Sequence, residues 1–242
     1  MGRAKEIVLK SIDKKTADAF VKTHHYSGKI CNNSGLHLGA FLDNVLHGVM
    51  QFRPPMDKGK VLPLVHNYEN RPVLWNEMLE LNRMAFDDFL PKNSESRCIA
   101  VAVKLLKKYA PHVKWILSFS DAAQCGDGAI YRASGFILTK ITPNKSIIEM
   151  PDGERIAQIT ITANGFDRGG QCERIIKKYG IELRGGASLK PFFEAGAKYI
   201  EGYQLRYVYL IDKTLKLNCP NIPFAKIQEI GAGMYKGIKI VE

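Results

Sequence analysis

The stretch DAAQCGDGAIYRASGF, residues Asp121–Phe136, decides the fold. It follows an apolar run, KWILSFS at 114–120, which has the length of a buried strand. Two glycines in its first half favour a turn, residues 127–134 favour a short helix, and Gly135 favours the end of that helix. The β-rich segment 136–141 predicts another strand. Strand, turn, helix and strand in close succession are typical of a layered α/β domain.

The segments before this stretch alternate between strand and helix patterns. They are a strand over Glu6–Ile12, a helix capped by Asp13 that stops near Tyr26, a hairpin of Leu36–Leu42 and Val45–Phe52 joined at Asp43-Asn44, a strand within Trp75–Phe86, and a helix from Asn93 or Ser94 to Tyr109. A helix is the alternative for Trp75–Phe86. The proline-rich segment 53–72 predicts a long polar loop.

On the C-terminal side, Gln204–Ile211 (QLRYVYLI) predicts a late strand. The glycine-rich segment before it is interpreted as an insertion. The prediction is an α/β (α+β) fold with a mixed central sheet flanked by helices. It forms a single domain of residues 1–242, with a core of about 1–141 plus 203–212, an insertion of about 142–202, and a basic C-terminal segment, 213–242, for which no function is predicted.

The chain is strongly basic, with 35 Lys and Arg against 24 Asp and Glu and a net charge of +11. A positive field concentrates polyanions, and basic side chains supply the phosphate contacts that dominate sequence-independent DNA affinity. Nucleic acid is therefore the predicted partner, and a basic protein without such a partner is the alternative. The side chains expected to contact phosphates are Lys104, Lys107 and Lys108 on one helix face, and Arg174, Lys177, Lys178, Arg184 and Lys190.

Several classes of protein are disfavoured. The five cysteines form an odd set without a C-x-x-C pair, which argues against a disulfide framework. The first residues lack the apolar core of a secretion signal, and no apolar run approaches the roughly 18 residues of a membrane span. We therefore expect a protein of the reducing cytoplasm without a membrane partner. No metal site is predicted, because no spacing demands one among His24, His25, Asp121, Cys125 and Asp127.

Asp121 and Tyr131 are the first candidates for chemistry. Ligands of open α/β sheets bind at the carboxyl ends of strands, so Asp121 is placed to act as a base or to orient another group. Tyr131 can donate a proton to a leaving group in a site shaped for it, given its ordinary pKa of about 10. The alternative is structural, with Asp121 capping the turn and Tyr131 packing in the core.

Arg83 lies in an apolar surround, LNRMAF, where an isolated charge is costly to bury. A bound phosphate of a donor or of DNA explains it, and the alternative is an ion pair with Glu80, Asp87 or Glu95. Another anion site is predicted at the start of the second helix, where backbone N–H groups and the helix dipole favour phosphate. Its candidates are Ser94, Ser96 and Arg97, although helix capping alone also accounts for the serines.

The segment AIYRASGF (129–136) resembles the A-x-x-L-Y-x-x-x-G-F signature that closes the acyl-CoA site of GNAT acyltransferases. The predicted order of elements, namely strand, helix, hairpin, strand, helix, strand, short helix and strand, is also similar to that fold. The resemblance implies a GNAT-like fold in which Tyr131 serves as general acid to a departing thiolate.

Longer segments resemble the Mom family of bacteriophage DNA adenine modification enzymes, which have a GNAT-like fold. These segments are HHYSGK (24–29), LGAFLDNVLHGVMQFRPPMDK (38–58), WNEMLELNRMAFDDFLPKNSESR (75–97), DAAQCGDGAIYRASGF (121–136) and YQLRYVYLID (203–212). The resemblance implies a transferase that adds a small acetamido (methylcarbamoyl) group to N6 of adenine in double-stranded DNA. Such an enzyme protects phage DNA from restriction in the host bacterial cytoplasm.

His25 and Tyr26 match the His-Tyr pair of that family, which makes His25, Tyr26, Asp121 and Tyr131 the predicted catalytic residues. Adenine N6 is a poor nucleophile and is stacked in the duplex, so the base is expected to flip into a pocket lined by aromatic groups. Asp121 is expected to take the N6 proton or to orient His25. A structural histidine is the alternative for His25.

One departure from the GNAT pattern concerns the donor. A typical GNAT helix start carries Q/R-x-x-G-x-G/A, whereas this chain has PKNSESR (91–97) without a glycine. The cofactor is therefore left open between acyl-CoA and another activated small-group donor, bound by Arg83, Ser94, Ser96 and Arg97. The alternative functions are an N-acetyltransferase acting on a protein or small-molecule amine, and a non-catalytic DNA-binding protein.

Overall fold

The computed structural model describes residues 3–162, 170–183, 188–235 and 237–240. The chain divides into two compact units, unit 1 formed by Met1–Ile141 with Gln204–Glu242 and unit 2 formed by Thr142–Tyr203. Unit 2 carries nine Lys and Arg against eight Asp and Glu, whereas unit 1 carries 26 against 16. The excess positive charge of the chain therefore belongs to unit 1.

The helices and strands have the following bounds. The strands are β1 (Val8–Ser11), β2 (Leu36–Leu42), β3 (Val45–Arg53), β4 (Val65–His66), β5 (Met78–Phe86), β6 (Trp115–Asp121), β7 (Ile137–Pro143), β8 (Ile147–Glu149), β9 (Arg155–Ala157), β10 (Lys198–Tyr199), β11 (Tyr203–Leu210), β12 (Lys216–Leu217), β13 (Met234–Tyr235) and β14 (Ile238–Lys239). The helices are α1 (Lys14–His24), α2 (Lys58–Val61), α3 (Ser94–Tyr109), α4 (Ala129–Ala133), α5 (Gln158–Thr162), α6 (Gln171–Tyr179), α7 (Lys190–Glu194) and α8 (Ala225–Glu229). None of the helices that the structure describes is long and apolar enough to cross a membrane.

A seven-stranded mixed sheet in the order β1-β2-β3-β5-β6-β11-β7 forms the centre of unit 1. The pairs β1–β2, β2–β3, β3–β5 and β6–β11 are antiparallel, whereas β5 and β6 are parallel. Parallel neighbours need a crossover connection, and α3 supplies it here. The predicted α/β fold with a mixed sheet flanked by helices, and the predicted order of its elements, are confirmed.

Local sequence signals account for most of these elements. Asp43 and Asn44 have φ values of 51° and 63°, as a two-residue hairpin turn requires, and they join β2 to β3. The Asp13 carboxylate accepts a hydrogen bond of 2.8 Å from the N–H of Thr16 and so caps α1. Helix α1 buries Ala17 and Val21 against the sheet.

Three details differ from the sequence-based expectations. Strand β1 begins only at Val8, because Arg3–Glu6 form a 3-10 helix. The segment 53–72 is more ordered than a loop, since it contains α2, a 3-10 helix over Leu62–Leu64 and β4. The helical alternative for Trp75–Phe86 is wrong, because β5 occupies Met78–Phe86.

One apolar cluster holds the centre of the sheet together. Trp115 and Leu117 of β6 pack with Met78 of β5 and Val208 of β11, and all four are buried. Burying each large apolar side chain contributes about 1.5–3 kcal/mol. This cluster anchors the first residues of β5 and β6, Met78 and Trp115, side by side in the core. Both strands run from there towards their carboxyl ends.

Unit 2 has its own three-stranded sheet, in the order β10-β8-β9, and its own core. That core includes Ile148, Ile156, Cys172 and Phe192. Lys178, one of the predicted phosphate contacts, forms an ion pair with Asp152 within this unit. Arg184, another predicted contact, lies outside the described residues.

Candidate active site

The candidate site lies where β5 and β6 stop pairing. The two strands pair over Met78–Leu81 and Trp115–Ser118, and both strands continue beyond that point. At the last paired position the Ser118 hydroxyl donates a hydrogen bond of 3.0 Å to the Leu81 carbonyl. The next residues of β5 include Arg83, and β6 ends at Asp121, so both residues follow the last paired position at the carboxyl ends of parallel strands.

Asp121 is held by donors from three places in the chain. Its Oδ1 accepts hydrogen bonds from the N–H of Ala123 (3.0 Å) and from the amide of Gln204 (2.8 Å). Its Oδ2 accepts one of 2.7 Å from the Gln124 amide. A carboxylate has about four lone-pair directions, so an acceptor position is left over. Asp121 therefore caps the turn, as its structural alternative predicted, and can still accept a proton.

The turn after Asp121 is stabilised by contacts of Asp127, which is 2% exposed. The Asp127 carboxylate pairs with Arg132 at 3.0 Å, and the Asp127 carbonyl accepts a hydrogen bond of 2.5 Å from the hydroxyl of Tyr207. The N–H of Asp127 donates to the carbonyl of Met234 over 3.0 Å. These contacts fix the start of α4, and α4 carries Tyr131.

Tyr131 is 8% exposed and packs its ring at 5.2 Å from the rings of Phe136 and Tyr207. Burial raises the pKa of Tyr131 to about 12, and a hydrogen bond with Ser118 opposes that shift. The phenol is therefore protonated at neutral pH. Since Ser118 marks the last paired position of β6, Tyr131 presents a proton at the point where the strands stop pairing.

His25 and Tyr26 follow the end of α1. The two rings lie 4.3 Å apart, and Tyr26 is 50% exposed. Although half of its surface is exposed, the surrounding protein desolvates Tyr26 and raises its pKa, and the charge of Asp121 adds to that effect. Cys125, Arg83 and Tyr131 also act on Tyr26 electrostatically. The structure therefore brings Tyr26, Asp121, Tyr131 and Arg83 into one neighbourhood.

His25 is a neutral, half-buried imidazole. Its Nδ1 accepts a hydrogen bond of 3.2 Å from the N–H of Ser27 and lies 2.8 Å from the Ser27 hydroxyl. Burial lowers the pKa of His25 to about 4, and the positive charge of Arg83 contributes. The backbone donor places the remaining proton on Nε2. The expectation that Asp121 orients His25 is wrong, because Ser27 fills that role and the Asp121 oxygens face two glutamines and a backbone N–H.

A pH dependence of stability follows from His25. Its pKa is about 4 in the folded protein and about 6.5 unfolded, so the unfolded state binds more protons between these values. The neutral His25 therefore contributes roughly 2–3 kcal/mol to the free energy of unfolding. We expect this contribution to be fully present above pH 6.5 and to be lost as the pH falls towards 4.

Urea unfolding midpoints measured from pH 4 to pH 8 test this prediction. Burial lowers the pKa of His37 as well, so His37 acts in the same direction. The difference between the wild type and His25→Asn isolates the contribution of His25. A His25→Asn variant with the same pH profile as the wild type would contradict a neutral His25.

Arg83 has no carboxylate partner among the residues that the structure describes. Its Nε donates to the Lys29 carbonyl over 3.0 Å and its Nη1 donates to the Asn82 carbonyl over 2.7 Å. The ion-pair alternative is wrong for the two nearest candidates in the sequence, because Glu80 pairs with Arg53 and Asp87 pairs with His47. A guanidinium fixed by two carbonyls has donors to spare for an anion.

The start of α3 contains the other predicted anion-binding residues. Asn93 is the N-cap with φ 70° and makes no side-chain capping bond. The Ser94 hydroxyl donates to the Pro91 carbonyl (2.5 Å), and the Ser96 hydroxyl donates to the Asn93 carbonyl (3.1 Å). Asn93 therefore adopts a left-handed conformation, which glycine adopts most easily.

The remaining predicted residues separate into two groups. Lys104, Lys107 and Lys108 are exposed on α3, on the face opposite its buried residues. His24, His25, Asp121, Cys125 and Asp127 do not form a cation site, since within the described ranges no three His, Cys, Asp or Glu side chains converge to hold a metal ion.

Sequence reasoning missed several residues that build the site. Gln124 and Gln204 bind Asp121, Tyr207 and Met234 clamp the turn, and Ser27 orients His25. Only Gln124 and Ser27 lie close in sequence to the residues they serve. Gln204 had one available signal, since it is a polar residue at the start of an otherwise apolar strand.

The chain was compared with solved structures and with protein families. Distant similarity is found to solved acetyltransferase structures, including an IAA acetyltransferase from Bacillus cereus (12% identity, TM-score 0.41, 84% of this chain and 99% of that chain). Another is the spermidine/spermine N-acetyltransferase SpeG from Vibrio cholerae (8% identity, TM-score 0.45, 88% and 96%).

A closer relative is the methylcarbamoylase Mom of Escherichia phage Mu. It is 37% identical over 169 residues, which span 69% of this chain and 66% of that protein. The sequence profile described as the Mom protein family matches residues 6–226. The segments that resembled this family at Asp121–Phe136 and Trp75–Arg97 lie inside the match. The chain therefore belongs to the Mom protein family.

Proposed function

We propose that this chain is a transferase that adds a small acetamido (methylcarbamoyl) group to N6 of adenine in double-stranded DNA. The observation that carries the proposal is that a protonated phenol, Tyr131, and a carboxylate, Asp121, both act electrostatically on the half-exposed ring of Tyr26. The name of the phage Mu relative supports the transferred group. In this proposal the modification protects phage DNA from restriction in the cytoplasm of the host bacterium.

The proposed reaction needs one acid and one base. Adenine N6 forms a bond to a carbon of the transferred group, and the bond between that carbon and its carrier breaks with the electron pair leaving on the carrier. Asp121 accepts the proton that N6 gives up, and Tyr131 donates a proton to the carrier. General acid–base catalysis of this kind contributes about 10²–10⁴-fold.

His25 and Tyr26 have a different proposed role. A neutral imidazole whose Nδ1 is occupied by Ser27 is a weak base, but it forms an aromatic surface together with the half-exposed ring of Tyr26. Adenine must leave the duplex stack to react, and a flipped base stacks on aromatic side chains. We assign the stacking surface to Tyr26, supported by His25.

The charge distribution supports DNA as the substrate. Unit 1 holds the excess of basic residues, and Lys104, Lys107 and Lys108 are exposed on it. These lysines are the proposed phosphate contacts. Lys177 and Lys178 are also proposed phosphate contacts. Lys178 is the weaker candidate of the two, because it forms an ion pair with Asp152.

The donor is proposed to be an anionic carrier bound by Arg83 and the start of α3, with Ser94, Ser96 and Arg97. An acyl-CoA and another activated carrier share the phosphate chemistry that such a site recognises. Calorimetry with acetyl-CoA, with and without duplex DNA, separates the N-acetyltransferase alternative from the proposal. Binding of acetyl-CoA and acetylation of a free amine without DNA would favour the alternative.

The central test is chemical. The chain is expressed with a plasmid in a bacterium, the DNA is digested to nucleosides, and mass spectrometry measures the heavier deoxyadenosine. We expect the wild type to produce it and Asp121→Asn to reduce it at least about 100-fold, because the amide cannot accept the proton.

Asp212→Asn is the matched control. Asp212 accepts a hydrogen bond from the N–H of Thr214 just after β11, as Asp121 accepts one from Ala123 just after β6. This control should retain wild-type modification. If a folded wild-type protein leaves all deoxyadenosine unmodified, the proposed function fails.

A further inference from the structure

The C-terminal part of unit 1 forms a hairpin beside the candidate site. Strands β13 and β14 pair Met234 with Lys239 and Tyr235 with Ile238. Gly237 has φ +77°, a conformation that L side chains rarely adopt. The register of the two strands places Tyr235 and Ile238 opposite each other.

Backbone hydrogen bonds fix this hairpin to the turn that follows Asp121. The Met234 carbonyl accepts a hydrogen bond of 3.0 Å from the N–H of Asp127, and the N–H of Gly237 donates over 2.6 Å to the Cys125 carbonyl. The Asp127 end of this contact is itself held by Tyr207 and Arg132. The hairpin is therefore an extension of the site, attached to it at Met234 of β13 and at Gly237.

The side chains that the hairpin presents are apolar and exposed. Tyr235 is 62% exposed, Ile238 is 72% exposed, and Ile240 just beyond them is 41% exposed. Single exposed apolar residues are ordinary, but a facing aromatic and aliphatic pair on one hairpin is an exposed apolar cluster. Its partner must accept apolar side chains and also suit the exposed Lys239 and the positive charge of unit 1.

Duplex DNA meets both conditions. Its backbone attracts basic residues, while the space between neighbouring base pairs accepts apolar wedges. An enzyme that modifies adenine N6 must also extrude the base, and a wedge lowers the cost of unstacking it. In the proposed function Tyr26 stacks on the extruded base, and a separate group is needed to fill the space that the base leaves in the duplex.

We propose that the β13–β14 hairpin inserts Tyr235 and Ile238 into the DNA stack next to the target adenine, so that the base turns into the site. This inference rests on the proposed function. The family match ends at residue 226, so the hairpin lies beyond the region matched to the family.

The test compares the wild type with Tyr235→Ala/Ile238→Ala. The adenines that the wild type modifies are first mapped in the plasmid. A synthetic duplex with the sequence around one such site then carries 2-aminopurine at the position of the target adenine. Binding of the wild type should raise 2-aminopurine fluorescence as the base unstacks. The double variant should bind the duplex without that rise and should lower plasmid modification about tenfold or more.

Tyr68→Ala/Ile159→Ala is the matched control, because these residues are 68% and 60% exposed. It should behave as the wild type in both assays. If the double hairpin variant modifies DNA and raises fluorescence as the wild type does, the wedge is overturned while the transferase proposal stands. Light scattering measures the oligomeric state of both proteins. If the wild type is a dimer and the double hairpin variant is a monomer, the hairpin is a dimer interface and the wedge proposal is overturned. Absence of modification by the wild type defeats both proposals.

Discussion

Replacing Tyr131 by phenylalanine is expected to lower DNA modification by about 10²–10⁴-fold while leaving the fold intact. The phenol is buried and protonated, and it lies beside Ser118 where β5 and β6 stop pairing. Phenylalanine keeps the ring contacts with Phe136 and Tyr207 and removes only the proton donor. Stability should fall by about 0.5–1.5 kcal/mol, the usual net value of one hydrogen bond.

Mass spectrometry of plasmid nucleosides and thermal unfolding measure the two effects separately. Tyr209→Phe is the control, since the Tyr209 ring also packs at 5.2 Å from Phe136. It should leave modification unchanged. If the folded Tyr131→Phe variant modifies DNA within a factor of two of the wild type, the phenol takes no part in the reaction.

Replacing Gly128 by alanine is expected to destabilise the protein by about 2–5 kcal/mol. Gly128 has φ +84°, and a Cβ there would lie 2.4 Å from Cε2 of the Tyr207 ring. Tyr207 cannot move away easily, because it is fully buried and its hydroxyl donates to the Asp127 carbonyl. The substitution therefore adds a steric clash to the cost of a left-handed alanine, and it displaces the turn that carries the site.

Gly231→Ala separates these two costs. Gly231 has φ +66°, and nothing lies within 4 Å of a Cβ placed there. Only the conformational cost of about 1–2 kcal/mol should remain. Denaturant unfolding of both variants gives the comparison, and equal losses in the two variants would refute the predicted contact between Gly128 and Tyr207.

The elements of unit 1 followed largely from local sequence. The Asp43-Asn44 turn specified its hairpin, because both residues tolerate positive φ. Asp13 specified the start of α1, and the apolar period of α3 separated its buried face from Lys104, Lys107 and Lys108. Such signals are readable because they act within a turn or a few residues of chain.

The geometry around the candidate site was less accessible. The sequence pointed to Asp121 and Tyr131 through a strand end followed by a turn and a helix, and it also pointed to His25, Tyr26 and Arg83. It could not show that Gln204 holds Asp121, because β11 reaches β6 only through a sheet order that brings residues 83 positions apart together. For the same reason it could not reveal that Tyr207 blocks a side chain at Gly128.

The sequence by itself therefore determined the family, the order of strands and helices, and the residue types available for chemistry. The tertiary structure decided their states: a neutral His25 facing Ser27, a protonated Tyr131, an Asp121 fixed by two glutamines, and an Arg83 without a carboxylate partner. The physical reason is that protonation and pairing depend on burial and on neighbours from distant strands. The strand order of the folded sheet sets both, and no local pattern encodes them.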